Sequence, residues 1–281
     1  MSEMIRITVL VENSVHRQGL VAEHGLCFHI QSGSHQLLFD TGQSDLAVIN
    51  AATLRLPLDP IEALVLSHGH YDHTGGVPTV LEMAPEAKCF VHPAAFEPKY
   101  SRNAEGHIRQ IGMSDVTLQA LNRRGLHLVE TRAQTEVLPG VFATGEIPRL
   151  TPYEDTGGAF YLDTAGTRPD PLLDDQALII DLGRSVMLLL GCAHSGLVNS
   201  LNHVQHLTGG KPVSAVIGGF HLGSASAARL QFTLERLRAA ELNCLAAAHC
   251  TGQLATARLW QTFPKICRPA SVGSVFEFER G

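Results

Sequence analysis

The sequence predicts a layered α/β fold made of two similar halves. Short apolar runs alternate with stretches that read as helices, which is the pattern of strands covered by helices. The order hairpin, helix, strand, histidine-bearing loop occurs twice, once from Cys27 and again from Ala177. Four apolar runs end in histidine: before His68, at His194, before His221 and at His249. In layered α/β folds ligands sit just beyond the carboxyl ends of strands, so these histidines are expected to converge on one site.

The elements follow in order. Ile5 to Val11 is β-rich and reads as a first strand. Asn13 to Gly25 is a polar loop carrying His16 and His24. Cys27 to Ile30 and Gln36 to Phe39 flank Gly33-Ser34 and form a hairpin. It ends in Asp40-Thr41-Gly42, where Asp40 is either a turn former or the partner for the outer nitrogen of a metal-bound imidazole; the second role is favoured, because ligating imidazoles need such a partner. Asp45 to Leu54 is a helix closed by Pro57 and Pro60. Ala63 to Leu66 is a buried strand running into Ser67-His68-Gly69-His70-Tyr71-Asp72-His73. Gly76 to Met83 is a helix with Pro78 in its first turn, where proline is tolerated. Cys89 to His92 is a strand stopped by Pro93.

Residues 94 to 175 are less regular and read as an insertion covering a substrate, within one domain spanning residues 1 to 281. Ser114 to Arg124 is a helix with Ser114 as its N-cap and Gly125 as its stop. His127 to Glu130, Glu136 to Leu138 and Val141 to Ala143 are short strands, and Gly145 to Asp175 is a loop rich in glycine and proline. Lys99, Arg102, His107 and Arg109 lie close together in sequence and could hold an anionic tail; a solvated loop is the alternative. Beyond Asp174, Ala177 to Leu182 and Ser185 to Leu190 form a hairpin ending Gly191-Cys192-Ala193-His194. A helix from Leu197 to Leu207, a strand from Val213 to Ile217 and a helix from Ala225 to Ala239 follow. Cys244 to Ala248 is a strand, Leu254 to Thr262 a helix, and Ser274 to Phe278 a closing strand.

Composition bounds the function. With 281 residues, 44% of them hydrophobic, the chain can bury a large core. A net charge of -6 without a long basic block argues against a general nucleic-acid binder. The run Ile7 to Val11 stops at Glu12 and is too short for a signal-peptide core. Val186 to Leu190, the densest apolar run, is far too short to span a membrane. The six cysteines form no CxxC pattern, and Cys27, Cys89, Cys192 and Cys244 read as small buried hydrophobes. A reducing, cytoplasmic compartment is expected.

The loop after Leu66 carries the chemistry. Imidazoles and one carboxylate suit zinc and its neighbours. His68 and His70 share a face in an extended loop, while Asp72 and His73 follow as the chain turns toward a second position. One loop can thus serve two metals.

His68-Gly69-His70-Tyr71-Asp72-His73, with Asp40 upstream and His194 and His249 downstream, resembles the metallo-β-lactamase superfamily. The resemblance implies an αββα sandwich with two divalent ions at its edge. It assigns His68, His70 and His194 to one ion and Asp72, His73 and His249 to the other. Zinc is expected, with manganese or iron(II) as alternatives. The di-iron branch favours glutamate where Gly69-His70 supplies imidazole.

Thr144-Gly145-Glu146-Ile147-Pro148-Arg149, Gly191-Cys192-Ala193-His194-Ser195-Gly196, Ile217-Gly218-Gly219-Phe220-His221-Leu222 and His249-Cys250-Thr251-Gly252 are similar to one branch. It is the branch named for the methanopterin-pathway dihydropteroate synthase. That reaction joins a dihydropterin diphosphate to a ribofuranosylaminobenzene phosphate and releases diphosphate. Many superfamily members bridge the two ions with an aspartate after the strand corresponding to Val213 to Ile217. Here no acidic residue occurs from Lys211 to Arg229, and His221 stands nearby as an acid/base or substrate contact, a metal ligand or a packing residue. Asp72 and His221 are the candidate catalytic residues. The expected function is metal-dependent transfer or hydrolysis on an anionic, phosphorylated small molecule; a non-catalytic metal or ligand sensor is the alternative.

Overall fold

A computed structural model describes residues 3–281. The first half runs β1 (Glu3–Val11), β2 (Cys27–Ser32), β3 (His35–Phe39), α1 (Leu46–Leu54), β4 (Ala63–Val65), α2 (Tyr71–Thr74), α3 (Val77–Met83) and β5 (Lys88–Val91). The middle segment holds β6 (Tyr100–Arg102), β7 (Ile108–Gln110), α4 (Asp115–Asn122), β8 (Leu128–Glu130), β9 (Thr135–Leu138), β10 (Val141–Ala143) and β11 (Phe160–Tyr161). The second half runs β12 (Ala177–Asp181), β13 (Val186–Leu190), α5 (Leu197–Leu207), β14 (Val213–Gly219), α6 (Ala227–Arg238), β15 (Cys244–Ala248), α7 (Gln253–Thr262) and β16 (Val275–Arg280).

A seven-stranded sheet has the order β16-β1-β2-β3-β4-β5-β8, and a six-stranded sheet the order β15-β14-β13-β12-β10-β9. Their facing sides make one core. Ile7, Phe28, Leu37, Phe39 and Val65 come from the first sheet, and Leu178, Ile180, Met187, Leu189 and Ile217 from the second. Alternate residues point the other way, as the two-residue period of a strand requires. Leu10, Leu38 and Leu64 pack outward with Ala47 and Ala51 of α1 and Val77 and Val80 of α3. Ile179, Leu188 and Val216 pack outward with Leu201 of α5, Leu234 of α6 and Leu259 of α7. The result is an αββα sandwich. Central strands buried on both faces explain why their sequences are continuously apolar.

The two halves repeat as expected. β2 and β3 pair antiparallel, then β3–β4 and β4–β5 pair parallel. β12 and β13 pair antiparallel, then β13–β14 and β14–β15 pair parallel. Asp40, His68 and His92 therefore follow three adjacent strands of one sheet, and His194, His221 and His249 three adjacent strands of the other.

Several expectations need correction. The chain after His70 is the one-turn helix α2, which displays Asp72 and His73, whereas a loop was expected. β14 continues through Gly218 and Gly219, which pair with Ala247 and Ala248. A Cβ at Gly218 would stand 2.0 Å from the Leu190 carbonyl oxygen, so only glycine allows that approach. In the middle segment β11, β6 and β7 form a three-stranded sheet where irregular chain was expected. Strands this short, on a half-exposed surface, leave no period to read. Ser114 does cap α4, its Oγ accepting from the Thr117 N–H at 3.1 Å. Among the described residues no helix is long and apolar enough to cross a membrane.

Phe28 is wholly buried between the sheets. Phe28→Ala is expected to lower the unfolding free energy by about 3–5 kcal/mol, read as a shift in the urea midpoint at unchanged slope.

Candidate metal centre

The carboxyl ends of the repeated strands meet at one edge of the sandwich, and the backbone there is strained. Asp40, Ala193, His221 and His249 follow β3, β13, β14 and β15 and have φ of 61°, 55°, 45° and 50°. Non-glycine residues rarely adopt this left-handed conformation, and such strain concentrates at functional sites. Each residue turns the chain sharply just past its strand, so side chains from different strands meet.

Asp72 Oδ2 lies 3.3 Å from His249 Nε2 and 3.9 Å from His73 Nε2. The two imidazole nitrogens are 3.3 Å apart. Three atoms each about 2.1 Å from a common ion at tetrahedral angles would be about 3.4 Å apart, so this set fits a divalent cation such as zinc. Beside it, His68 Nε2 lies 2.9 Å from His70 Nδ1. The rings of His68 and His70 stand 4.8 and 4.9 Å from that of His194. His194 Nε2 is buried and has no hydrogen-bond partner among the described residues, so its lone pair is free for an ion.

The outer nitrogens are held by protein. Asp40 Oδ2 accepts from His73 Nδ1 at 2.7 Å. The same carboxylate accepts from Ser67 N and Ser67 Oγ, each at 2.7 Å, and Ser67 Oγ meets His68 Nδ1 at 2.9 Å. His194 Nδ1 donates to the Thr156 carbonyl at 2.9 Å, and His249 Nδ1 to Asn13 Oδ1 at 2.8 Å. These bonds fix the tautomer and aim Nε2 inward. The electrostatics separate the two sets. Burial opposes the charged form of His73, but the Asp40 and Asp72 carboxylates outweigh it and raise its pKa to about 9. An ion there must displace a proton from that ring, whereas the other set is neutral. Burial, helped by neighbouring imidazoles, pushes His68 and His194 well below the usual histidine range, and burial takes His70 down to about 3. Neutral imidazoles keep their lone pairs. Burial opposes ionisation of Asp72, but His73, His24 and His249 outweigh it and hold the carboxyl well below its ordinary value.

Three further residues emerge only in three dimensions. Cys192 does not join any hydrophobic cluster, unlike Cys27, Cys89 and Cys244. Its sulfur lies 3.2 Å from His73 Nε2, so its reading as a small hydrophobe is corrected. His24, expected in a polar loop, contacts Asp72 Oδ2 at 3.1 Å. Cys250 groups with Cys192 and His221. Only the position of Cys192 two residues before His194 hinted at any of this.

His221 borders the cavity at the site, which measures about 140 Å³ and is also walled by Tyr71, Arg109 and Phe160. Its ring packs 4.3 Å from that of His194, and its Nδ1 is buried without a partner. The four basic candidates do not gather. Lys99 is buried, its Nζ 2.9 Å from Asp170 Oδ2 and 2.8 Å from Asp174 Oδ1, so it is committed to two carboxylates. Arg102 donates to the Gly166 carbonyl at 2.7 Å and covers the Tyr161 ring. His107 is exposed in the turn between β6 and β7. Arg109 alone of the four lines the cavity.

Two outcomes follow from these contacts. Asp40→Asn keeps a residue that tolerates the left-handed turn but removes the charge that orients His73 and Ser67. Metal affinity, read by chelator competition, is expected to fall by about 10–100-fold. Lys99→Ala leaves Asp170 and Asp174 buried and unpaired, and is expected to cost about 3–5 kcal/mol in a denaturant melt.

The same fold recurs in known proteins. Over 98% of its length the chain is 28% identical to the 7,8-dihydropterin-6-methyl-4-(beta-D-ribofuranosyl)-aminobenzene-5'-phosphate synthase of Methanocaldococcus jannaschii, covering 97% of that protein. A crystal structure described as a metal-dependent hydrolase of the beta-lactamase superfamily superposes with a TM-score of 0.81 at 26% identity, with 98% of this chain and 99% of that one covered. A metallo-beta-lactamase fold protein of Bacillus subtilis shares the fold at a TM-score of 0.59 and 14% identity, with 98% and 99% covered. The family model of the metallo-beta-lactamase superfamily matches residues 21–238, and the chain belongs to that superfamily.

Proposed function

We propose that the protein is a binuclear metal-dependent enzyme acting on a phosphorylated small molecule. The observation that carries this reading is the double ligand set at one sheet edge: His68, His70 and His194 on one side, and Asp72, His73 and His249 on the other. Imidazole donors favour zinc as the resident metal, with manganese or iron(II) as alternatives. Bound ions would supply Lewis-acid charge and a nucleophile near neutral pH. The chain's own residues do the rest. Arg109 at the cavity wall can pair with a phosphate. Phe160 and Tyr71 offer aromatic faces to a flat ring. His221, with its buried unpaired Nδ1, can take a proton from an attacking amine or give one to a leaving group. We read residues 94–175 as the cover over this site, since Ser101, Arg109 and Phe160 all come from that segment.

Similarity to the methanogen synthase along nearly its whole length supports a pterin diphosphate and an aminobenzene phosphate as substrates, joined with release of diphosphate. The size of the cavity favours a second reading. At about 140 Å³ it is smaller than sites that enclose drug-sized ligands, about 300–1,000 Å³. A phosphate end suits a volume of that size, which supports hydrolysis of a phosphoester as the alternative. All six cysteines are free, which supports a reducing, cytoplasmic setting.

The test measures diphosphate release from a dihydropterin diphosphate with and without the aminobenzene acceptor, and hydrolysis of a generic phosphodiester, in zinc-loaded protein. Release that depends on the acceptor supports transfer, and release without it supports hydrolysis. No turnover of either substrate at full metal content would leave a binding protein. Asp72→Ala is expected to abolish turnover with the fold intact. His221→Ala is expected to retain both metals and lose about 100-fold or more in rate, with metal content and rate measured on one preparation.

A further inference from the structure

Cys192 stands between the two ligand sets. Its sulfur groups with a ring nitrogen each of His68 and His194, and again with one each of His73 and His249, all atoms of each group lying within 4.8 Å of one another. Its contact with His73 Nε2 is 3.2 Å. Bonds of about 2.3 Å to sulfur and about 2.1 Å to nitrogen at a tetrahedral ion separate the two donors by about 3.6 Å. His194 Nε2, in the same group and 1% exposed as a residue, is buried without a hydrogen-bond partner. Among the described residues no other cysteine joins either histidine pair.

The placement of this side chain is enforced by the backbone. β13 ends at Leu190, and a Cβ on Gly191 would stand 2.1 Å from Ser67 Oγ, so the strand end is clamped against the loop that carries His68. Ala193 then takes a φ of 55°. Cys192 sits between these two constraints, 3% exposed, with its sulfur turned toward the histidines.

Charge gives the placement a purpose. The six donors assigned to two dications include a single carboxylate, Asp72, and the segment from Lys211 to Arg229 has no acidic residue. A thiolate at Cys192 would supply a second negative charge beside both ligand sets. We propose that Cys192 is a metal ligand whose sulfur is shared by the two ion positions. This rests on the metal-centre reading of the preceding subsection. On binding, the thiol gives its proton to solvent and the sulfur lone pairs go to the ions. A soft donor at the centre selects zinc, cobalt(II) or cadmium over magnesium and manganese.

Cobalt(II) loaded into the whole protein in place of zinc tests this without an activity assay. The wild type is expected to show the visible bands of bound cobalt together with sulfur-to-cobalt charge-transfer absorption in the near ultraviolet. Cys192→Ser and Cys192→Ala are expected to lose the charge-transfer band while keeping visible bands from the histidine sites. Cys250→Ser, which removes the neighbouring sulfur, is expected to retain it. Zinc retention against a chelator should fall by about 100-fold or more in the Cys192 variants, beyond the loss from an outer partner alone. Zinc-edge X-ray absorption of the unmutated protein reads the same point should a variant not fold, with a sulfur shell expected at about 2.3 Å. Visible cobalt bands without charge transfer, a band that survives Cys192→Ser and vanishes in Cys250→Ser, or a zinc shell of nitrogen and oxygen alone would each overturn the proposal while leaving the metal centre standing. Failure of the wild type to bind cobalt or zinc at all would overturn both.

Discussion

Asp40 sits fully buried at the end of β3 in a left-handed conformation, and its two oxygens accept three hydrogen bonds. Two come from Ser67 at the end of β4 and one from His73 in α2. A buried carboxylate is tolerated only when it is paired and hydrogen-bonded, and here the pairing partners are the orienting groups of the site. Through His73 the carboxylate sets one ligand directly. Through Ser67 it sets the position of His68, and the same hydroxyl limits Gly191 at the end of β13 to a residue without a Cβ. One charge thus ties three strand ends, from both sheets, into a single geometry.

The repeat provides the scaffold for that convergence. Each half lays down a hairpin and two parallel strands, with helices on the outer face, so equivalent strand ends from the two halves face each other across the sandwich edge. The halves have diverged in what those ends carry. Asp40 and Ser67 in the first half are orienting groups, and the matching region of the second half carries Cys192, His194 and His221. Left-handed turns at Asp40, Ala193, His221 and His249 store strain that the surrounding sheets hold in place.

The segment between the halves is fastened to the site by buried charge. Lys99 bridges Asp170 and Asp174, and Asp174 Oδ2 also accepts from the Gly69 N–H at 2.7 Å, inside the histidine loop. Arg149 donates to the His194 carbonyl, and Asp175 accepts from the Ser195 N–H. Breaking such buried pairs exposes an uncompensated charge, so this segment and the ligand loops are coupled in stability. Of the basic residues that read as an anion site, Lys99 is a rivet of this attachment.

Much of the fold was legible because it is encoded locally. Apolar runs bounded by glycine and proline marked the central strands, Ser114 marked a helix start, and four runs ending in histidine pointed to one edge. The dense loop from His68 to His73 named most ligand candidates, since few other roles put so many imidazoles and a carboxylate so close. What sequence could not decide was which separated residues meet. The small sheet of β6, β7 and β11 joins segments about sixty residues apart through strands too short to show a period. Lys99 looked like a free cation because its partners, Asp170 and Asp174, lie far along the chain. Cys192 looked like core because composition cannot tell a sulfur packed among leucines from one aimed at histidines. Residue type and local pattern determine which groups are available and which elements carry them. Only the closing of two sheets, driven by burial of their shared apolar faces, decides which of those groups come within bonding distance.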